Sequence, residues 1–336
     1  MINKRLAIFA LAASLLPLGD AAYADYPERT IQATVAWGAG GLTDVVARSV
    51  MPHAEKALGT SIVVNNRPGG TTVIGVTYVK GQRPDGYNIL VGTQDTTLLP
   101  VLGIADFDYK DFTPINIMGQ GLAVIAVNPD SPWDSMEELV AAVKAEPNTL
   151  RMGDVGPGAT PHITHTIVDS SVDFDFDVRK VTFGGDGPGI TALLGNHIDF
   201  MPLSLAPAME QIKAGRLKPL AVLSEERIDV LPDVPAITEA LPKAAEYLPW
   251  GSFQGIFVRK DTPDEIKETL SDAFEKAVAT SAFKQKYTQQ FGGVVLNLSG
   301  KEAQDYIDHW QSVTSWLLED TGEAKVSPKT LGIPRP

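Results

Sequence analysis

Apolar and polar positions along this chain follow two rhythms, and the rhythms take turns. Short, β-branched apolar runs occur at "TIQATVAW" (30–37), "SIVVNN" (61–66), "NILVGT" (88–93) and "INIMGQGLAVIAVN" (115–128). Between them, apolar residues recur at helical spacing from near Thr43 and from near Thr72. Beyond 128 the order resumes, with helices predicted near 135–146, 161–170, 188–195 and 206–214. Strands are predicted near 149–154, 178–183, 198–204 and 218–223. Strand–helix alternation of this kind predicts an α/β fold with mostly parallel sheets. Three amphipathic helical patterns close the chain, near 263–279, 281–291 and 300–318.

Two stretches break the rhythm and suggest two lobes. The run 115–128 is long for one strand and carries Gly119 and Gly121, as a strand crossing between lobes would. The segment 231–258 is proline-rich and irregular before it re-enters a strand. The simplest topology is a first lobe over 25–125, a second over 126–249 and a return to the first over 250–336. A tandem split near 130 without return is the competing topology. Two crossings make a hinge, and open α/β sheets bind ligands at the carboxyl ends of their strands.

The first 24 residues change the picture of where the chain works. They have a basic start (Lys4, Arg5), a short apolar run and the small-residue end Ala22-Tyr23-Ala24. That is the layout of a secretory signal peptide, with cleavage expected after Ala24. No later stretch reaches the roughly 20 apolar residues that span a bilayer. The expected location is the periplasm. The chain has no cysteine, which excludes disulfides, thiolate metal sites and cysteine nucleophiles. Its net charge of −13 argues against nucleic acid, which needs a basic face.

Three strand-to-helix turns are rich in glycine: "GAGGLTD" (38–44), "GDVGPGATPH" (153–162) and "FGGDGPGI" (183–190). Turns that enter helices expose unpaired amides and the positive end of the helix dipole, so they favour anions. Gly41 is a candidate N-cap, with Asp44 reaching back as in a capping box. In the second turn Thr160 is the expected N-cap and Pro161 the first helical residue. The first turn lacks the lysine and hydroxyl residue of a P-loop, and Thr43 stands where a dinucleotide fingerprint needs its third glycine. No lysine or arginine lies between Arg29 and Arg48 or between Arg151 and Arg179. An anion bound here would be held by neutral amides and hydroxyls.

Catalytic patterns are poor. There is no G-x-S-x-G elbow and no H-E-x-x-H pattern, although His162 and His165 share a helix at i, i+3. Helix packing is the better reading of that pair than a metal site. Asp173, Asp175 and Asp177 alternate with Phe174 and Phe176 but lack the glycine and closing glutamate of a calcium loop, so a solvated edge or turn is expected. A hydrolase or lyase using His162 with Asp44 is the reading from another class, and no nucleophile accompanies it.

The residues resemble a known family. "YPERTIQATVAWGAGGLTDVVAR", "LGTSIVVNNRPGG", "RPDGYNILVGT", "GPGATPH", "VTFGGDGPGITALLGNHIDFM", "IKAGRLKPLAVLSEER" and "LPDVPAITEA" occur in the order seen in Bug/TctC-type proteins. These are the extracytoplasmic solute-binding subunits of tripartite tricarboxylate transporters. The resemblance implies a two-lobed periplasmic binding protein fold of the type II, Venus-flytrap kind, closing on a small organic carboxylate. It implies integral membrane transporter subunits as partners, no cofactor and no metal. A monomer is expected, and a sensor feeding a membrane signalling protein is the alternative role.

Carried over by the resemblance, the ligand loops are Gly40, Gly41, Leu42, Thr43 and Asp44 in one lobe and Gly156, Gly158, Ala159, Thr160 and His162 in the other. Amides of Gly40 to Thr43 and of Gly158 to Thr160 would hold the anion. Further contacts are expected at Trp37, Thr93, Gln94, Phe183, Gly184 and Ser204. Asp44, an acceptor when ionised, would order the loop amides or meet a ligand hydroxyl or amine. The chain departs from the family pattern in three places. Trp37 stands for a usual phenylalanine, Gly184 for a common basic residue, and Leu203-Ser204 for a frequent aspartate and asparagine.

Overall fold

The computed structural model describes residues 26–336, so the expected leader and its cleavage site lie outside the described residues. The first lobe begins with β1 (Ile31–Val35), α1 (Leu42–Leu58), β2 (Ile62–Asn66), α2 (Val73–Lys80), β3 (Asn88–Thr93), the single turn α3 (Asp95–Leu98) and β4 (Phe112–Gly121). The second sheet starts at β5 (Ala123–Val127), followed by α4 (Met136–Ala145), β6 (Arg151–Asp154), α5 (Thr160–Ser171) and β7 (Arg179–Thr182). It continues through α6 (Asp186–Leu194), β8 (Phe200–Ser204), α7 (Leu205–Lys213), β9 (Lys218–Val222) and the short α8 (Ile237–Ala240). The chain then returns with β10 (Ser252–Arg259), α9 (Asp264–Ala279), α10 (Ser281–Gln285), β11 (Val294–Leu298) and α11 (Gly300–Asp320).

Two sheets result. One has the order β11-β4-β10-β3-β1-β2 and the other β7-β6-β8-β5-β9. In the first, β1 pairs in parallel with β2 and β3, while β10 inserts antiparallel between β3 and β4. In the second, β6 is parallel to β7 and β8, and β5 runs antiparallel to β8 and β9. Parallel strands need helical crossovers, which cover both faces and force nearly continuous apolar runs. The run "NILVGT" shows this, with every residue after Asn88 buried. Helix α9 buries Ile266, Leu270, Ala273, Phe274, Ala277 and Val278, one stripe at 3.6-residue spacing, and lays it against α1 and β4.

The expected single strand at 115–128 is two strands. The ladder stops at Gly121, Leu122 stands alone, and Ala123 opens the other sheet. Close packing fixes the break: a Cβ at Gly121 would sit 2.9 Å from Leu42 Cδ2. The helix expected over 281–291 is α10 followed by a π turn at Lys286–Gln290, and the edge strand β11 follows where no strand was predicted. Helix α5 is capped by Ala159, with Thr160 first and Pro161 second, one residue earlier than the capping chemistry suggested. Helix α6 starts two residues earlier than its periodicity suggested, so Asp186 becomes its first residue. Asp173 is an exposed partner of Lys243 at 2.6 Å, and Phe176 packs edge-on against Phe200.

Candidate functional site

The carboxyl ends of strands from both sheets converge on one cleft. Its first wall is Trp37 after β1, Gly41, Leu42 and Thr43 at the start of α1, Thr93 at the end of β3 with Gln94 and Asp95 after it, and Ser252 and Gln254 on β10. The facing wall is Val155, Ala159, Thr160 and Pro161 after β6, Gly185 and Asp186 after β7, and Ser204 at the end of β8. The lobes stand close, leaving about 30 Å³ in which the centre of a water-sized body can move.

Glycine makes that closeness possible. The amide of Gly38 donates to the carbonyl of Gly184 across the cleft at 3.2 Å. A Cβ at Gly38 would lie 2.8 Å from that same oxygen, and one at Gly187 would lie 2.7 Å from the carbonyl of Ala39. The "GPGATPH" loop meets the first lobe elsewhere: a Cβ at Gly158 would come within 3.0 Å of Leu102. The glycine-rich turns are therefore surfaces of contact between lobes as well as helix entries.

Within the cleft the polar groups are organised around carboxylates. The Trp37 indole donates to Thr93 Oγ1 at 3.0 Å and to Asp95 Oδ2 at 3.3 Å. Thr93 Oγ1 in turn donates to Asp95 Oδ2 at 2.5 Å, and Gln94 Nε2 reaches Asp95 Oδ1 at 3.3 Å. Burial pushes the Asp95 carboxyl up to about 7, with the Asp186 charge adding to it and the Thr93 and Trp37 hydrogen bonds opposing it. Burial also pushes Asp186 up, against the hydroxyl and amide of Ser204 and the amide of Leu42, which its carboxylate faces. On β10, Gln254 is fixed by the Tyr287 hydroxyl at 2.5 Å and by its own bond to Ser252 O at 3.0 Å.

The expected site residues divide into two groups. Trp37, Gly41, Leu42, Thr43, Thr93, Gln94, Ala159, Thr160 and Ser204 line the cleft. Gly40, Asp44, Gly156, Gly158, His162, Phe183 and Gly184 are not in its lining. Asp44 accepts from the Gly40 amide at 2.9 Å, from Arg48 at 3.0 Å and from Asn66 at 3.0 Å, so it orders the loop from behind. The Gly158 amide donates to His162 Nδ1 at 2.7 Å. The amides of Gly40 and Gly158, expected to grip an anion, thus already have partners within the protein. His162 Nε2 pairs with Glu323, which separates it from Asp44 as an acid–base couple.

Asp95, Val155, Pro161, Gly185, Asp186, Ser252 and Gln254 complete the lining and are not among the ligand contacts expected from sequence. For the two aspartates the signal was present. Each follows a strand carboxyl end by two to four residues, where α/β sheets gather their ligand sites. Ser252 and Gln254 arrive from a strand roughly 160 residues later, which no local pattern announces.

Two α/β lobes that enclose a polar cleft at their strand ends define a two-lobed solute-binding protein. The sequence profile of the tripartite tricarboxylate transporter family receptor, TctC, matches residues 46–317, and the chain belongs to that family. A relative, the UPF0065 protein in the TAR-I ttuE-ttuC' intergenic region of Agrobacterium vitis, is 30% identical over 279 residues, covering 82% of this chain and 79% of that protein. The periplasmic binding protein BugD is 28% identical with a TM-score of 0.82, over 89% of this chain and 99% of its own. MatC from Rhodopseudomonas palustris, solved with bound malate, is 25% identical with a TM-score of 0.79, over 88% of this chain and 99% of its own. No helix among the described residues is long and apolar enough to cross a membrane.

Proposed function

We propose that this protein is a periplasmic receptor that captures a small organic carboxylate between its lobes and delivers it to integral membrane transporter subunits. The observation that carries the reading is the pair of helix N-termini, α1 from one lobe and α5 from the other, that open on the same cleft through Thr43 and Thr160. First-turn amides lack intrahelical partners and sit at the positive end of the dipole, so both favour an anion. The malate held by MatC, a relative over most of the chain, supports the same ligand class.

The lobes would be residues 25–121 with 252–336 on one side and 123–222 on the other, hinged at Leu122 and in the segment before Ser252. A ligand held from both sides favours the closed arrangement over the open one. The receptor acts as a monomer without catalysis, after removal of residues 1–24. Calorimetric titration with a panel of small organic acids tests the reading. Binding that weakens about tenfold in Gly41→Val, with the fold kept, is the expected result. Equal affinity in variant and parent would overturn the loop assignment.

A further inference from the structure

We propose that a groove at the two chain crossings is a second ligand site, which takes an uncharged aromatic compound bearing a carbonyl oxygen and, once filled, holds the lobes close. It is separate from the cleft and does not depend on what the cleft binds.

The groove lies where the chain passes between its two sheets. Gln120 comes from the end of β4, beside the first crossing at Leu122, and Tyr247 and Trp250 come from the second crossing, just before β10. Helix α11 supplies Tyr306, Trp310 and Trp316. That helix ties both crossings down: the Tyr306 hydroxyl donates to Gln120 Oε1 at 2.8 Å, and the Trp310 indole donates to Gly251 O at 3.0 Å. About 580 Å³ is open to the centre of a water-sized body, against about 30 Å³ in the cleft. Since the walls come from both crossings, the shape of the groove changes with the angle between the lobes. A ligand that fits it as it stands favours this arrangement.

Two polar groups of the lining are left over. Trp250 Nε1 and Thr314 Oγ1 are buried without a hydrogen-bond partner, in residues 4% and 1% exposed. A buried indole N–H ordinarily finds an acceptor. The other two indoles of the groove do so, Trp310 at Gly251 O and Trp316 at Pro334 O, 2.8 Å away. Trp250 therefore calls for an acceptor from outside the chain, which a carbonyl oxygen supplies. The Thr314 hydroxyl can donate to the same oxygen or accept from an adjoining amide N–H. Aromatic faces offer the remaining contact, with the Trp250 and Trp310 ring centroids 6.1 Å apart.

Charge selects against ions. The guanidinium of Arg335 is already bound to Asp320 at 2.5 Å and lies over the Trp316 ring, 4.5 Å from its centroid. An organic acid thus finds no uncommitted arginine or lysine in the lining and meets the carboxylates of Glu246 and Asp320. An ammonium would suit those carboxylates but leaves the Trp250 N–H unmet, because it too is only a donor.

Calorimetry with 1-naphthylacetamide tests this, with 1-naphthylacetate and 1-naphthylmethylammonium as the anionic and cationic controls and cyclohexylacetamide as the non-aromatic one. The naphthyl amide should bind at least about tenfold tighter than each control. Trp250→Phe keeps a ring and removes the donor, and Thr314→Val keeps the shape and removes the hydroxyl. Each should weaken amide binding about three- to tenfold. Thr314→Val should also be no less stable than the parent in urea, since its hydroxyl has no partner to lose. With the amide bound and no solute present, solution scattering should give a smaller radius than the free protein. Absence of amide binding up to about 5 mM, or affinity unchanged in both variants, overturns the site. Equal or tighter binding of an ionic control overturns the ligand class, and an unchanged radius at saturation overturns the hold on the lobes. A loss of stability in Thr314→Val would assign that hydroxyl to the fold instead of the ligand.

Discussion

His162 on α5 and Glu323, three residues beyond α11, form a hydrogen-bonded contact that joins the two lobes behind the cleft. Thr166 Oγ1 donates to the other oxygen of the same carboxylate at 2.8 Å. The segment bearing Glu323 is tied to the first lobe, where the amides of Lys325 and Val326 donate to Val101 O at 2.9 and 3.0 Å. His162 therefore bridges the two lobes from outside the cleft lining.

Acid should release this strap. Burial opposes ionisation of Glu323, but the His162 and Thr166 hydrogen bonds prevail and hold it at about 2, against an ordinary 4.5. A depressed pKa contributes stability that is complete above the unfolded value and is lost as pH falls toward the folded one. Between about pH 4.5 and 2 the parent should lose stability that Glu323→Gln never had. Urea midpoints for both proteins across that range measure it, and parallel curves would show that the pair contributes nothing.

Asp95 works with the opposite sign. Its folded pKa of about 7 lies above the ordinary 3.8, so the folded chain holds the extra proton between those values. Stability attributable to this group therefore falls as pH rises from about 4 to 7. Asp186 and the Tyr109 hydroxyl are the ionisable groups in its field, and neither offsets the penalty. Asp95→Asn should gain on the parent progressively from pH 5 to pH 8, with no ligand present. Chemical denaturation at the two ends of that range would refute the assignment if the difference between the proteins stayed constant.

Closure should fail when a side chain is placed between the glycine loops. Gly38→Val would press a Cβ against the Gly184 carbonyl, 2.8 Å away, while each lobe keeps its own core. Ligand affinity should drop by about tenfold or more, and solution scattering should show a larger radius than the parent at saturating ligand. An unchanged radius and affinity would mean that the contact does not govern closing.

Trp37→Phe removes the donor shared by Thr93 and Asp95 and leaves both buried acceptors one bond short. The loss should be about 1–3 kcal/mol of folding stability by denaturant titration, the usual cost of an unsatisfied buried group. A change within error would assign the indole to packing alone.

Much of this fold was readable in the rhythm of the chain because parallel strands and their helices impose clear apolar periods. The run at 88–93 and the stripe of α9 are examples. The break at Leu122 was not readable, since an apolar run looks the same whether it feeds one sheet or two. Strand β11 follows Gly292 and Gly293 on a sheet edge and is only partly buried, so its pattern is weak. At the site, the loops were legible and the atoms were not. Asp44 and His162 stand beside lining residues in sequence, yet helix geometry turns both to partners behind the loop. Asp186 entered the cleft because α6 begins at it rather than two residues later.

The Gly38–Gly184 contact is made of main-chain atoms only. A peptide group is the same in every sequence, so this contact between lobes carries no information about what lies in the cleft beside it. The cleft also presents side chains, Trp37, Asp95 and Asp186 among them, and those do differ from sequence to sequence. Those positions can drift toward a new cargo while the shutting motion stays as it was. One scaffold can thus acquire many tastes without having to relearn how to close.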